Sequence, residues 1–393
     1  MQFLKFAAVI VLAAPIFGSC GNPQPPKNLT VHEWGTFTTV ADEAGGAEAW
    51  SPLSGPSDLP CFVQHLHGLM YKTLSWSTSE ATTQTVTVRM ETPVLYFYSP
   101  RKTTVSVGVD FPKGLITEWY PSASKVDPEP DKTLPAVAQG HIEWNSLEIT
   151  PGENPVLPQG AGASHYYAAR NTDADPIRIS LQQEKMIFYR GIANFPVPMS
   201  ARVTGEGTVE LRNTGDEALA VAILFENRGG RVGYRVMHGL RGRNEMDTPE
   251  LTADLDHLKR DLADALVAQG LYPKEADAMV ETWRDSWFEE GMRVFYLVPR
   301  QMVDRELPLT IAPAPVATER VFVGRVELLS PYMRDKLATA LADGNIPALD
   351  GFGRFLVPFM QQVKVNAAPP VTDYMAAKAA QAQREFYSPS CVR

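Results

Sequence analysis

Apolar and polar residues alternate through much of the chain between Leu29 and about Met237. The alternation is clearest in residues 103–111, where every second residue from Val105 to Phe111 is apolar. A period of two predicts a strand with one buried face. Many such short runs, separated by Gly, Pro and Asn turns, predict a mainly antiparallel β-sandwich or jelly-roll-like body.

The other predicted strands are short and lie on both sides of a helical interval. Before that interval they cover residues 84–90, 94–98, 115–120, 146–150, 165–169, 177–181, 186–190, 208–213, 218–226 and 231–237. After it, residues 294–298 and 320–328 have the same character. We expect these two late strands to rejoin the sheet, so that the helical interval is an insertion or a cap.

The period changes to that of a helix after residue 247. Thr248 is expected to cap a first helix, with Pro249 at its first position and Gly270 at its end. A second helix is expected from Pro273 to Gly291. Apolar residues at helical spacing predict two buried faces, formed by Leu251, Leu255, Leu258, Leu262 and Leu266 in the first helix and by Ala276, Met279, Val280, Trp283, Trp287 and Phe288 in the second.

Further helices are predicted near the C-terminus, at residues 332–341, 352–363 and 374–386. Together these patterns predict an α+β fold. Its predicted parts are a β-sandwich body over 30–245, a helical hairpin over 246–291, and returning strands with C-terminal helices over 292–393.

The first 19 residues have the pattern of a secretory signal. Residues 6–17 are an apolar run that would rise about 18 Å as a helix, against a hydrocarbon core of about 30 Å. Such a run is typical of a cleaved signal and not of a membrane span. The small residues before Cys20 resemble a lipoprotein cleavage site, which predicts lipid on Cys20, a Pro-rich tether over 20–29, and a membrane-anchored protein facing the periplasm or the cell surface. Ordinary cleavage nearby is the alternative.

Cysteine usage agrees with an exported location. The chain has three cysteines, and lipid on Cys20 leaves Cys61 and Cys391. In an oxidising compartment such a pair can form a disulfide, which here would tie the tail to the early part of the fold. The alternative is two free thiols.

The charge of the chain argues against one class of partner. Without the lysine of the signal, 35 of the 36 basic residues remain against 45 acidic ones, a net charge of −10. Nucleic acid is bound by clustered lysines and arginines, and the sequence contains no basic run. We therefore expect no nucleic-acid partner.

Four of the seven histidines are candidate metal ligands. His65 and His67 have the spacing that places two imidazoles on one face of a strand. The apolar residues around them recur at helical spacing, however, and on a helix the two rings would diverge. With His32 and His165 they could hold a transition metal such as zinc. The alternative for all four is a hydrogen-bonding role without a metal.

The first predicted strand places a histidine, a tryptophan and hydroxyl groups on one face. In HEWGTFT, residues 32–38, alternation puts His32 and Trp34 on the same side as two threonines. This string, with TEWYP at 117–121 and HYYAAR at 165–170, resembles segments of an uncharacterised family of exported bacterial proteins. The resemblance covers most of the mature chain and implies secretion, but it implies no catalytic residue.

The candidate binding residues are four aromatic residues with one arginine, and three acidic residues. Surface aromatics can stack on a glycan or a peptide, with burial in the core as the alternative. An acidic row at i, i+4 and i+8 could attract a cation or a basic partner at a helix end that disfavours negative charge, with a solvated face as the alternative. The residues concerned are Trp34, Trp119, Tyr120, Tyr166 and Arg170 in the first group and Glu281, Asp285 and Glu289 in the second.

These patterns contain no complete catalytic motif. We therefore expect a cell-envelope lipoprotein that binds a ligand or partner, a glycan or a peptide, through its β-sandwich. The alternative is a metal-dependent extracytoplasmic hydrolase that uses the four histidines named above.

Overall fold

The structure is a computed structural model that describes residues 28–50, 59–66, 86–128, 139–160, 162–205 and 207–387. Its strands are β1 (Thr30–Val40), β2 (Gln64–His65), β3 (Val88–Tyr98), β4 (Thr103–Phe111), β5 (Gly114–Tyr120), β6 (Lys125–Asp127), β7 (Gly140–Ile149), β8 (Ile177–Ile179), β9 (Gln182–Glu184), β10 (Ile187–Ala193), β11 (Met199–Gly205), β12 (Thr208–Asn213), β13 (Leu219–Arg228), β14 (Arg231–Leu240), β15 (Arg243–Asp247), β16 (Gly291–Leu297), β17 (Leu309–Ala312) and β18 (Ala317–Leu328). Its α-helices are α1 (Leu255–Ala268), α2 (Pro273–Thr282), α3 (Arg284–Trp287), α4 (Arg300–Glu306), α5 (Pro331–Asp343), α6 (Ile346–Asp350), α7 (Leu356–Gln362) and α8 (Pro369–Tyr387). Short 3-10 helices cover His165–Arg170 and Gly353–Phe355.

The strands are arranged in a large sheet and two smaller ones. The large sheet has nine strands in the order β14-β13-β16-β18-β1-β3-β10-β5-β2, and β1 runs parallel to β18 while the other pairs are antiparallel. A second sheet has the order β17-β4-β7-β8-β9, with β6 also paired to β7. The third contains β11, β12 and β15. The long β1 therefore lies at the centre of the molecule, and all of its residues are buried.

The large sheet is covered on both faces. One face shares a core with the two smaller sheets, which includes Phe37, Trp144 and Leu211. The opposite face, which we call the helical face, packs against α1 to α3 through residues such as Trp34 and Leu262. Helices α5 to α8 enclose a third core at the end of β1. Because both faces are covered, a polar side chain on the large sheet must find a partner inside the protein.

The predicted fold class is confirmed, since the structure is α+β with a sandwich-like body. Thr103–Phe111 and Thr208–Asn213 are strands with the predicted bounds. The buried face predicted for the second helix is also confirmed, because all of its residues from Ala276 to Phe288 are buried. In the first helix Leu258, Leu262 and Leu266 are buried, whereas Leu251 and Leu255 are only partly covered.

One predicted strand is part of a longer strand, and another is absent. Residues 94–98 are not a separate strand, because β3 continues without a break through Pro93; residues 84 and 85 lie outside the described residues. Residues 165–169 form a 3-10 helix and not a strand. The reason is local, since the Ser164 side chain accepts a hydrogen bond from the backbone N–H of Tyr166 and caps a helical turn.

The first helix begins later than predicted. The cap is Asp254 and not Thr248, and α1 starts at Leu255. The backbone N–H of Ala253 donates to the carbonyl of Val232, 2.9 Å away, so the residues before the helix lie along β14. Thr248-Pro249 therefore belongs to an extended segment and does not begin a helix. Contacts with other parts of the chain satisfy the backbone hydrogen-bonding groups of this segment.

The C-terminal helices follow the sequence pattern in part. The helices predicted over 332–341 and 374–386 are present as α5 and α8. The one predicted over 352–363 is divided between a 3-10 turn and α7. Helices α4 and α6 were not predicted, and both are too short to show a clear period. In the described part of the chain, no helix is long and apolar enough to cross a membrane.

Candidate functional site

Irregular strand pairing converges at one level of the large sheet. The register shifts between Trp34 and Thr36 where β1 meets β3, and between Phe188 and Gly191 where β10 meets β3. The pairing of β10 with β5 shifts at the same place on β10. Bulges re-aim side chains, and they are frequent beside functional sites. Three shifts on adjacent strands therefore mark this level as a candidate site.

The backbone of Thr92 at this level adopts a conformation that its residue type disfavours. Its φ is 47°, in the left-handed region, although threonine is β-branched and the next residue is Pro93. Such a conformation costs about 1–3 kcal/mol and persists only where the surroundings impose it. Local strain of this kind often occurs at ligand sites.

A small cavity, which we call the bulge cavity, opens beside Thr92. Its lining includes Arg190 from β10, Thr282 at the end of α2, Trp283, and His165 and Tyr166 from the 3-10 helix, with Leu59 and Phe188 adding apolar surface. Its volume of about 10 Å³ is room for one water molecule. The cavity can therefore admit a single oxygen-sized atom, with the rest of a larger molecule outside.

One buried donor without an acceptor lines this cavity, and another lies on the neighbouring strand. The indole Nε1–H of Trp283 has no hydrogen-bond acceptor among the described residues, although the side chain is only 3% exposed. The hydroxyl of Thr36, which is opposite Glu91 in the register, is likewise buried and without a partner in that part of the chain. An unsatisfied buried donor costs about 1–3 kcal/mol, so such groups commonly indicate a bound water, ion or ligand.

A carboxylate held by arginines lies next to the bulge. Glu91 is fully buried and forms ion pairs with Arg354, 2.9 Å from Nη1 to Oε1, and with Arg89, 3.1 Å from Nε to Oε1. The hydroxyl of Thr38 donates to its other oxygen at 3.0 Å. Burial alone would raise the pKa of Glu91, but the positive charges of Arg354 and Arg89 outweigh it and hold that pKa below its ordinary value. Glu91 is therefore an anion that binds these guanidinium groups together.

A second carboxylate continues the network toward α3. Glu327 accepts from Arg293 and from Arg325, with an N–O distance of 2.8 Å to each. Arg325 also contacts Glu289 at 2.8 Å and the hydroxyl of Ser286 at 2.9 Å. Burial lowers the pKa of Arg293. The helical face of the sheet thus holds a continuous layer of guanidinium and carboxylate groups where apolar side chains would be the ordinary filling.

His165 gives the bulge cavity a polar mouth. Its side chain is 36% exposed, and its Nε2 lies 3.8 Å from a carboxylate oxygen of Asp285. This distance is too long for a hydrogen bond. His165 is therefore a partly solvated ring between the cavity and the surface.

The predicted metal ligands do not form one cluster in the described residues. His32 donates or accepts through Nδ1 at 2.7 Å from Glu275, whose carboxylate also receives the hydroxyl of Tyr98 at 2.7 Å. His65 lies on the short β2. Among the described residues no group of three or more His, Cys, Asp or Glu could hold a metal ion. His67 lies outside the described residues, so the complete set remains a prediction.

The predicted aromatic binding surface is wrong. Trp34, Trp119, Tyr120 and Tyr166 are all at most 4% exposed, because they pack in the cores on the two faces of the large sheet. Arg170 is also anchored, since its guanidinium donates to Glu184 at 2.6 Å and lies over the rings of the 3-10 helix. These residues stabilise the fold and offer no exposed platform for stacking.

The acidic row predicted on the second helix is also wrong. The helix is interrupted at Trp283, since α2 ends at Thr282 and α3 is a separate turn, and Gly291 already begins β16. Glu281 and Asp285 both pair with Arg284, whereas Glu289 pairs with Arg325. The three carboxylates therefore do not share one face.

The predicted disulfide can be followed at one end only. Cys61 is disulfide-bonded. Cys20 and Cys391 both lie outside the described residues. The pairing of Cys61 with Cys391 therefore remains a prediction, as does lipid on Cys20.

No protein-family model matches the chain, and no curated protein matches it. Of the residues that line the bulge cavity, His165 and Tyr166 were predicted as site residues, whereas Thr92, Arg190, Thr282 and Trp283 were not, because they come from separate elements. The one local signal is the charged and hydroxyl-bearing Glu91-Thr92 before a proline inside an apolar strand. Such a break in the period is a weak but usable indication of a bulge.

Proposed function

We propose that this protein is an exported, lipid-anchored envelope protein that binds a small ligand by inserting one oxygen of an acidic group, a carboxylate or a phosphate, into the bulge cavity. The observation that supports it most directly is the unpartnered Nε1–H of buried Trp283 beside Arg190 in the cavity wall. One oxygen atom of a carboxylate, from an acidic sugar or a peptide end, is small enough for such a space. The rest of the ligand would lie at the mouth, beside His165.

The chemistry of the lining supports an anion over a neutral group. The indole N–H of Trp283 can only donate a hydrogen bond, so its natural partner is an acceptor. Charge-assisted hydrogen bonds to an oxyanion are roughly twice as strong as neutral ones. Arg190 is 3% exposed and places a positive charge in the cavity wall, where it also helps to hold the pKa of Glu91 below its ordinary value.

Changing Trp283 to Phe tests this proposal, because it removes the N–H and keeps most of the aromatic surface. We expect the wild-type protein to bind at least one of three probes, glucuronate, N-acetylalanine or inorganic phosphate, in isothermal titration calorimetry. Loss of one hydrogen bond to a charged ligand, about 1.5–3 kcal/mol, should weaken that binding by about 10- to 100-fold in Trp283→Phe.

Trp287→Phe is the matched control. Trp287 is buried in the same helical layer and its Nε1 also has no acceptor among the described residues, but it does not line the cavity. It should lose comparable stability while keeping its affinity for the probe. Equal loss of affinity in both variants, or no binding of any probe by the wild type, would reject the proposed site.

The export part of the proposal is supported by residues 1–28, with their apolar run, Cys20 and Pro-rich tether. The folded body begins with β1 at Thr30, which leaves a short spacer after the proposed lipid. Mass spectrometry of the N-terminal peptide from bacterial membranes should show a diacylglyceryl group on Cys20. In a Cys20→Ala variant the protein should leave the membrane fraction, and an unmodified N-terminus in the wild type would contradict the anchor.

A further inference from the structure

A second concave site lies between the outer edge of β11 and the start of α5. We call it the β11 groove, and its volume of about 500 Å³ is within the usual range for ligand sites. Its floor is apolar, with Ala41, Leu328 and Leu329 buried beneath it. None of the residues that line it belongs to the bulge cavity.

An unpaired strand edge faces this groove. In the part of the chain that the structure describes, β11 pairs with β12 on one side only. The backbone N–H of Ala201 points away from β12 and donates to the carbonyl of Gly45, 3.2 Å away. Because the direction of the backbone N–H and C=O groups alternates along an antiparallel strand, those of Val203 also point away from β12. Its N–H and C=O find no backbone partner among the described residues, and Val203 lines the groove.

The charges at the rim have an acidic surplus. Arg334 pairs with Glu43 at 3.1 Å, and Arg202 of β11 pairs with Glu210 of the neighbouring strand β12 at 3.0 Å. Two further carboxylates line the groove, Asp42 and Asp335, and in the described chain neither has a cationic partner. The Oδ1 of Asp42 accepts hydrogen bonds from the backbone N–H groups of Ala44 and Gly46 in its own turn. A ligand that fits this rim therefore carries positive charge.

We propose that the β11 groove binds an extended peptide segment with a lysine or arginine, added as a strand to the edge of β11. Main-chain hydrogen bonds to Val203 would hold the peptide, as in other cases where a strand is added to an open edge. An apolar side chain would cover the floor at Leu329, and the cation would lie near Asp42 and Asp335. The backbone edge favours a peptide over a simple cation. This inference does not depend on the function proposed for the bulge cavity.

The first test uses two peptides and leaves the protein unchanged. The probe is fluorescently labelled Thr-Val-Lys-Val-Thr with blocked ends, and fluorescence anisotropy should give a Kd below about 1 mM. Methylation of the backbone nitrogens in its three central residues should weaken binding by about tenfold or more, because edge pairing needs those N–H groups. Equal binding of both peptides, or no binding of the parent peptide, would overturn the proposal.

A pair of variants on one helix tests the charge. Asp335→Asn should weaken binding of the lysine peptide about three- to tenfold. Asp343→Asn, an exposed change at the other end of α5 and outside the groove, should leave it unchanged. Replacing the peptide lysine by glutamate should abolish binding, whereas Trp283→Phe in the protein should have no effect. The groove does not select a cation if two results are found together. The Asp335→Asn protein would bind the lysine peptide as tightly as the wild type does, and the wild type would bind the glutamate peptide as tightly as the lysine peptide.

Discussion

Replacing Glu91 by alanine should destabilise the protein by about 3–5 kcal/mol, because the change leaves buried guanidinium groups facing one another without their shared anion. Arg354 and Arg89 contact this carboxylate directly, and Glu91 itself is 0% exposed. Urea unfolding monitored by tryptophan fluorescence measures the loss. Glu245→Ala, an exposed change on β15, is the control and should stay within about 0.5 kcal/mol of the wild type.

Glu91 should also make the free energy of unfolding depend on pH in the acidic range. The pKa of Glu91 is lowered in the folded state relative to its ordinary value, which is about 4.3 in an unfolded chain. Its stabilising contribution is therefore complete above about pH 4.3 and is lost as the pH falls through the lower folded pKa. In Glu91→Gln this part of the acid dependence should be missing from the free energy of unfolding. Parallel curves for wild type and Glu91→Gln below about pH 4 would show that the carboxylate is not held as an anion.

Replacing Gly191 by alanine should cost about 3 kcal/mol or more, because the new methyl group would overlap with backbone. A Cβ at this position would lie 2.3 Å from the carbonyl oxygen of Leu115 and 2.9 Å from the Met90 side chain. That oxygen belongs to β5, the strand paired with β10, so it cannot move without loss of pairing. Overlap with a flexible side chain alone would be much less costly.

The Gly191 variant tests the bulge as well as the packing. We expect lower thermal stability and, since Arg190 is the preceding residue, weaker binding of the acidic probe. Gly205→Ala is the control, because a Cβ there meets nothing within 4 Å. A Gly191→Ala protein that melts within about 2 °C of the wild type would show that the strands do not approach as closely as described.

The layer of guanidinium and carboxylate groups on the helical face of the sheet has a high cost in free energy. A buried ion network is often no more stable than apolar side chains of similar volume, and it loses several kcal/mol when one partner is removed. Arg293 and Arg325 are both 0% exposed, and each is held by Glu327. Residues that break the rules of local stability tend to be located at functional sites. This cost is a further reason to propose ligand binding at the neighbouring bulge.

The sequence alone was sufficient for features that depend on neighbouring residues. The period of two over Thr103–Phe111 and the helical spacing from Ala276 to Phe288 report which side of an element is buried, and the structure agrees with both. Local signals were less reliable where two patterns compete. HYYAAR, at 165–170, has strand-forming aromatics, but the cap from Ser164 makes it a 3-10 helix.

Only the tertiary structure decided which polar residues meet. His32 contacts Glu275, 243 positions away in the chain, and not the other histidines of the predicted metal set that the structure describes. The bulge cavity likewise combines Thr92, Arg190 and Trp283 from separate elements. Periodicity shows that a side chain points inward, but the partner it meets there depends on sheet order, register and bulges. Those are set by packing of the whole chain, because contacts between distant segments have no signature in the local pattern of either one.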